Sequence, residues 1–101
     1  MRFVFRTQKL EALYYDEKGA RDYPKAVVQA FFEVMAIIEA ATNEADIRAF
    51  KGLRFERLKG RRGKAGERSL RLNRQYRLIV AIEEDQQGNF VCIISISKHY
   101  D

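Results

Sequence analysis

The sequence predicts an α+β fold in which two N-terminal helices pack on a small, mainly antiparallel, twisted sheet. Apolar residues recur with the 3.6-residue period of a helix before Phe50 and with the two-residue period of a strand after it. Helices followed by a run of short strands are typical of α+β proteins. With 101 residues, 47% of them hydrophobic, the chain has room for one domain over residues 1–101 and for a modest core.

Two helices are predicted in the first half of the chain, after a short strand at residues 2–6. Thr7 is a suitable N-cap for the first helix, and Gly19 is a suitable stop. The second helix is predicted over residues 25–41, and its broad apolar surface indicates that it packs on the sheet and on a neighbouring helix. Residues 42–49 are expected to connect this helix to the sheet and to contain a single helical turn.

Four strands are predicted in the second half of the chain, over residues 53–58, 67–73, 75–83 and 90–97. Short turns separate the last three strands, which predicts an antiparallel meander. Alternation then places Arg71 and Arg77 on the face away from the helices, close enough across the hairpin to hold one phosphate. Ser95, Ser97 and His99 share a face of the last strand, which brings the only histidine toward the same edge.

Positive charge is concentrated in residues 51–77, which hold eleven Lys or Arg against two acidic residues, a net charge of +9. The whole chain carries +5, so the remaining residues sum to −4. A field of this size attracts polyanions, and nucleic acid is the expected ligand. Residues 60–66 contain three glycines and are expected to form a solvated, flexible loop. The flanking charges alternate with apolar residues, which indicates that strands hold them in place.

Composition argues against several classes of function. The single cysteine, Cys92, can form no internal disulfide, which predicts a reducing cytoplasm. The chain has no apolar run of membrane-spanning length and no signal-peptide pattern, so no membrane association is expected. Cys/His metal spacing, a Gly-rich phosphate loop and a GxSxG elbow are also missing, and neither a metal nor a cofactor is predicted. The chemistry is left to Arg, Lys, Tyr, the acidic residues and one histidine.

Three motifs carry a resemblance to a known family. They are LRFERLKG at residues 53–60, SxRxN formed by Ser69, Arg71 and Asn73, and QYRLIV at residues 75–80, before a last strand with an aromatic and histidine tail. Together they resemble the HigB-like branch of the RelE/ParE superfamily of bacterial toxins. The resemblance implies a RelE-like fold and a toxin that is silenced by a cognate antitoxin, expected to be of the helix-turn-helix type. It also implies a ribosome-dependent endoribonuclease that cuts mRNA and inhibits translation and growth.

The resemblance assigns catalytic roles to individual residues. Lys59, Arg71 and Arg77 match positions that bind or stabilise the scissile phosphate in HigB-like toxins. RNA supplies its own nucleophile, the 2′-OH, so metal-free cleavage needs in-line positioning, cations for the dianionic phosphate, a base and an acid. Guanidinium groups keep their protons near pH 7, so the arginines act as stabilisers. Histidine is the side-chain type whose ordinary pKa lies near neutrality, which makes His99 the predicted acid or base.

Other residues are expected to bind RNA, and two positions depart from the family pattern. The residues that suit docking onto RNA or stacking on a base are Arg57, Arg61, Arg62, Lys64 and Tyr100. Glu56 stands where many members of the family have histidine, and the chain ends His99-Tyr100-Asp101 where many end Asp-Tyr-His. Either His99 replaces the usual terminal histidine, or the general acid and base is lost and the nuclease is weak.

Two other classes of function stay open on the sequence alone. A ParE-like inhibitor of DNA gyrase would arrest replication without shortening mRNA and would not depend on His99. A non-catalytic nucleic-acid-binding homologue would bind with a steep salt dependence and cleave nothing. The pairing of LKG with SxRxN favours the nuclease, and the missing Asp-Tyr-His ending is the main argument against it.

Overall fold

A computed structural model describes residues 1–98 of the chain. This part of the chain forms five strands and four helices. They are β1 (Phe3–Phe5), α1 (Gln8–Asp16), α2 (Lys25–Ala40), α3 (Glu44–Arg48), β2 (Glu56–Arg57), α4 (Gly60–Lys64), β3 (Glu67–Arg71), β4 (Tyr76–Asp85) and β5 (Gly88–Lys98). Short 3-10 turns lie at Ala20–Asp22 and Lys51–Leu53. The predicted α+β class is confirmed.

The five strands form one mixed sheet in the order β1-β5-β4-β3-β2. The pairs β2–β3, β3–β4 and β4–β5 are antiparallel, and β1 lies parallel to β5 at one edge. A parallel pair needs a long crossover between its strands, and the helices that follow β1 belong to that crossover. The predicted antiparallel meander of the last three strands is confirmed.

The core lies between one face of the sheet and the helices α1 and α2. Both helices turn an apolar stripe toward the sheet, and alternate residues of β3, β4 and β5 meet them. The largest fully buried side chains include Leu10, Leu13, Phe31, Met35, Ile38, Leu70, Leu78, Val80, Val91 and Ile93. Because this face of the sheet is apolar and covered, polar side chains of the same strands must face the other way.

Hydrogen bonds hold the N-terminus to the end of α2 and to the turn between β4 and β5. The ammonium of Met1 donates a hydrogen bond to the carbonyl oxygen of Ile38 at 2.9 Å and another to that of Ala41, at the end of α2. The guanidinium of Arg2 forms a two-point pair with the carboxylate of Asp85, at 3.0 and 2.7 Å. These hydrogen bonds lower the pKa of Asp85 below its ordinary value. The edge strand β1 is thereby held against α2 and against the turn between β4 and β5.

Three predicted boundaries are wrong for local reasons. The first helix ends at Asp16, before Gly19, because Glu17 adopts the left-handed conformation with a φ of 55° and caps the helix. The strand predicted at residues 53–58 shrinks to the two residues of β2, since a 3-10 turn precedes it and Arg54 has a φ of 45°. The strand predicted at residues 67–73 ends at Arg71, because Oδ1 of Asn73 accepts from the next turn's backbone N–H groups and closes that turn.

The prediction of a flexible loop at residues 60–66 is also wrong, because Gly60–Lys64 form the short helix α4. Two of the three glycines in this segment allow close contact with neighbouring backbone. A Cβ atom at Gly63 would lie 1.9 Å from the carbonyl oxygen of Leu58, and one at Gly66 would lie 2.6 Å from that of Ile82. Gly66 also has a φ of +87°, which favours glycine. The helix α4 therefore lies close against the backbone beside the sheet.

No helix within residues 1–98 combines the length and the apolar character that crossing a membrane requires.

Gly63→Ala tests the close approach of α4. The added methyl group must displace α4 or the backbone at Leu58, so we expect the free energy of unfolding to fall by about 1–3 kcal/mol in chemical denaturation. Gly52→Ala is the matched control, because a Cβ atom there meets nothing within 4 Å, and it should stay within about 0.5 kcal/mol of the parent chain. Equal stability of the two variants would contradict the contact.

Candidate nucleic-acid interface

The polar face of the sheet brings Arg71 and Arg77 directly opposite each other. They are Cα partners in the β3–β4 ladder, and Arg77 is in turn the partner of Ser97 in the β4–β5 ladder. Facing residues on antiparallel strands have Cβ atoms about 4.5–5.5 Å apart. The two guanidinium groups therefore start from neighbouring points on the same face, as the alternation of the strands predicts.

A cleft of about 300 Å³ opens beside this row. It is bounded by the β2–α4 segment on one side and the polar face of the sheet on the other. Its lining residues are Glu56, Arg57, Leu58, Lys59, Arg62, Ser69, Arg77, Ile79, Ser97 and Lys98. Five of these ten side chains are basic and one is acidic, so the cleft is strongly electropositive. We name it the basic cleft.

Arg77 is the most unusual side chain in the basic cleft. Its Nη1 atom is buried, and no residue among the described 98 offers it a hydrogen bond. Leaving a buried donor unpaired costs about 1–3 kcal/mol, and more when the group is charged. Ile79, two residues further along β4 on the same face, is only 5% exposed, so the floor of the cleft is apolar and poorly screened. An anion that entered the cleft would supply the missing acceptor.

Lys59 and Arg62 reach the basic cleft from the start of α4. Lys59 is the N-cap residue of that helix, has an extended backbone and is exposed. The Nε atom of Arg62 donates to Oε1 of Glu67 at 2.9 Å, and the Glu67 side chain is only 18% exposed. This ion pair ties α4 to β3, so Arg62 has a structural role as well as its place in the cleft.

Of the other predicted site residues, some line the basic cleft and some lie outside it. Arg57 is exposed and lines the basic cleft from β2. Arg61 and Lys64 are exposed on α4 but do not line the cleft. Arg71 is half-buried and lies beside the cleft, next to Arg77, without lining it. His99 and Tyr100, which the sequence singled out, lie outside the described residues.

One basic residue of the 51–77 stretch does not belong to this surface. Arg68 faces the opposite side of β3, its side chain is 16% exposed, and its Nε lies 3.4 Å from Oε1 of Glu44 on α3. Its guanidinium joins the sheet to α3. The basic residues of the stretch therefore have two roles. On β3, alternation directs Arg71 to the polar face of the sheet and Arg68 to the ion pair with α3.

A β-bulge decides which side chains of β5 reach Arg77. Ile79 pairs with Ser95 and Val80 pairs with Ile93, so Ile94 is an extra residue in β5. Without it, strict alternation would turn Ser95 and Ser97 to the same side as the buried Ile93. The bulge reverses that phase and brings Ser97 beside Arg77, with the hydroxyl oxygens of Ser95 and Ser97 3.2 Å apart.

The sequence analysis assigned no binding role to three residues that line the basic cleft. They are Ser69 on β3, the apolar floor at Ile79, and Lys98 at the end of β5. Alternation places Ser69 and Ile79 on the face of Arg71 and Arg77, and that shared face is the signal that could have assigned them to the site. Lys98 pairs with Tyr76 in the β4–β5 ladder, on the face opposite to Ser97, so alternation along β5 does not place it in the cleft.

The described residues contain no cluster of three or more His, Cys, Asp or Glu side chains arranged to hold a metal ion.

Comparisons with known proteins agree on one family. Residues 3–92 match the model of a family described as the RelE-like toxin of the type II toxin–antitoxin system HigB. Over 79 residues the chain is 40% identical to Toxin HigB-1 of Vibrio cholerae serotype O1. The aligned residues make up 78% of this chain and 81% of that relative.

Two solved structures share the fold. A YoeB/ParE toxin from Agrobacterium tumefaciens has a TM-score of 0.62 and 21% identity, over 99% of this chain and 100% of that one. The YoeB–YefM complex from Staphylococcus aureus has a TM-score of 0.55 and 23% identity, over 99% of this chain and 98% of that chain. At these identities the two structures bear on the fold alone.

Arg77→Met tests whether the unpaired guanidinium lowers stability. The variant keeps an unbranched apolar stem and removes the buried charge, so we expect the free energy of unfolding to stay equal or rise by about 1 kcal/mol in chemical denaturation. Arg21→Met replaces an exposed arginine of the Ala20–Asp22 turn and should change stability by less than about 0.5 kcal/mol. A loss of more than about 2 kcal/mol at Arg77 alone would show that its guanidinium supports the fold.

Proposed function

The chain belongs to the HigB-like family of RelE-like toxins of type II toxin–antitoxin systems, and on that premise we propose that it is a metal-independent, ribosome-dependent mRNA endoribonuclease. It inhibits translation, and thereby growth, when its antitoxin is absent. The observation that carries the proposal is the pair of arginines facing each other on β3 and β4 beside the basic cleft.

The charges at this place suit a phosphodiester. Arg77 has a buried nitrogen without an acceptor among the described residues, and Arg71 occupies the facing position on the neighbouring strand. A guanidinium can donate two parallel hydrogen bonds to non-bridging phosphate oxygens, and Lys59 adds a point charge. An apolar, weakly screened floor strengthens each of these interactions. We therefore assign phosphate binding to Arg77, Arg71 and Lys59.

RNA is the natural substrate of such a site. The 2′-OH attacks the adjacent phosphorus, the bond from phosphorus to O5′ breaks, and a 2′,3′-cyclic phosphate and a 5′-hydroxyl result. The pentavalent phosphate carries one more negative charge than the diester, so cations placed around it bind the transition state more tightly than the substrate. One proton must leave the 2′-OH and one must reach O5′.

Glu56 and His99 are our candidates for the proton transfers. Glu56 is the one acidic side chain among the described residues that line the basic cleft, and it can accept the proton of the 2′-OH. His99 directly follows Lys98, which lines the same cleft, and an imidazolium can protonate the leaving O5′. With these roles, Glu56 is a carboxylate proton acceptor at the position where many members of the family have histidine, which is also a proton acceptor.

The remaining partners follow from the same proposal. Arg61 and Lys64 are exposed on α4 outside the cleft, where they suit the phosphates of ribosomal RNA. Arg57 and Arg62 line the cleft and suit the mRNA strand, with Tyr100 as a stacking residue. The toxin acts in the cytoplasm, and a helix-turn-helix antitoxin holds it silent.

Primer extension on cellular mRNA after brief induction tests the proposal. We expect cuts within translated codons that disappear in an Arg71→Ala, Arg77→Ala double variant, since loss of two charge-assisted contacts removes at least about 3 kcal/mol of transition-state binding, a loss of more than a hundredfold in rate. A His99→Ala variant should cut more slowly if that residue is the acid. Arg21→Ala, an exposed arginine far from the cleft in the chain, is the matched control and should cut like the parent.

Two results would contradict the proposal. Intact mRNA during growth arrest, together with signs of DNA damage, would favour an inhibitor of gyrase. Undiminished cutting by the double variant, at equal protein level, would show that these arginines do not hold the scissile phosphate.

A further inference from the structure

A second electropositive cleft lies on the other side of β2. Its volume is about 280 Å³, and its lining residues are Arg48, Phe50, Lys51, Arg54, Phe55 and Glu56. Three of the six are basic and one is acidic. Glu56 lines both this cleft and the basic cleft, so the two surfaces are continuous across β2. We name this surface the Phe50 cleft.

One wall of the Phe50 cleft is fixed and buried. Phe55 is 7% exposed, and the guanidinium of Arg48 lies over its ring at 4.9 Å from the centroid. Nη1 of Arg48 also donates to the carbonyl oxygen of Phe55 at 3.4 Å. These contacts hold Arg48 at the cleft without burying its charge in the core.

Phe50 forms the exposed side of the same cleft. It is 52% exposed, and no ring contact to it is found among the described residues. Tyr15 is also exposed, at 65%, but its ring packs edge-on against Tyr14 and Phe5 at the opposite edge of the sheet. An unpartnered aromatic ring beside cations is the combination that binds single-stranded nucleic acid, because bases stack on the ring while the cations neutralise the backbone.

Arg54 keeps a charged side chain at a position that glycine would fill with less strain. Its backbone has a φ of 45° and a ψ of 55°, the left-handed conformation, between the Lys51–Leu53 turn and β2. Non-glycine residues hold such a conformation where the surrounding structure requires it, often at functional sites. We take the charged side chain at this position as support for a binding role of the cleft, which Arg54 lines.

We propose that the Phe50 cleft binds the single-stranded RNA next to the scissile phosphate, with a base stacked on Phe50 and the adjoining phosphate held by Lys51 and Arg54. This inference rests on the proposed function, because it extends the path of the same strand beyond Glu56. Phe50 also borders an apolar groove formed by Ala36, Ile37 and Ala40, which a protein segment could occupy. The basic rim and the continuity with the basic cleft favour RNA.

Binding of uncleavable RNA of increasing length tests the inference. Fluorescein-labelled 2′-O-methyl oligonucleotides lack the nucleophile, so fluorescence anisotropy reports binding alone. We expect the affinity of the parent chain to rise once the strand is long enough to reach the Phe50 cleft. Phe50→Ala should bind the longer oligonucleotides about tenfold more weakly than the parent chain does, and it should bind the shortest ones equally well.

Separate measurements test the basic residues of the Phe50 cleft. Lys51→Ala should reduce the slope of log affinity against log salt concentration by about 0.7, the value for one contact to a single strand. Arg54→Gly should weaken binding of the longer oligonucleotides while the melting temperature stays unchanged or rises, because glycine accepts the backbone conformation. Tyr15→Ala and Lys18→Ala remove an exposed aromatic and an exposed cation elsewhere, and both should bind like the parent.

The variants separate failure of this inference from failure of the proposed function. Arg77→Ala should weaken binding at every length, and parent-like binding by that variant would remove the proposed function and this inference with it. Weak binding by Arg77→Ala combined with parent-like binding of all lengths by Phe50→Ala and Lys51→Ala would overturn the inference alone. If Phe50→Ala then also lost the purified antitoxin in a pull-down, the cleft would belong to a protein partner instead.

Discussion

The packing of one face of the sheet on α1 and α2 is the constraint on which the rest of the structure depends. Once the apolar rows of β3, β4 and β5 are buried, alternation leaves no choice for the residues between them. The same strands that hold Leu70 and Leu78 in the core must turn Arg71 and Arg77 to the opposite face. A basic surface on a rigid support is thus a consequence of burying hydrophobic side chains.

The charge of that surface opposes the stability of the fold. Cations crowd one cleft, a buried nitrogen of Arg77 has no acceptor among the described residues, and Arg54 holds a left-handed backbone. Features of this kind lower stability, and proteins hold them most often at sites that bind a ligand. The glycine contact at Gly63 belongs to the same arrangement, because it lets α4 close one side of the cleft at a distance that no other residue permits. Binding of a polyanion would relieve much of this opposition.

Sequence periodicity was enough to predict the fold class, the meander and the pairing of Arg71 with Arg77, since each follows from where hydrophobic side chains must go. It failed where backbone geometry departs from a regular period. The extra residue Ile94 reverses the phase of β5, and only the register with β4 shows that Ser97 reaches Arg77. The glycines of residues 60–66 suggest a flexible loop in the sequence, whereas in the structure Gly63 and Gly66 allow close contact between backbone segments. Tertiary contact, which local propensity does not contain, decided both cases.

The central claim is that Arg77 holds the scissile phosphate of RNA, and nuclear magnetic resonance of arginine side chains measures it most directly. The protein would be labelled with ¹⁵N and ¹³C in its guanidinium groups and titrated with a short 2′-O-methyl RNA. The account predicts that the Nη and Nε signals of Arg77 and Arg71 shift and that rotation about the Cζ–Nε bond of Arg77 slows, while Arg21 is unchanged. RNA binding that leaves the Arg77 signals unmoved would contradict it.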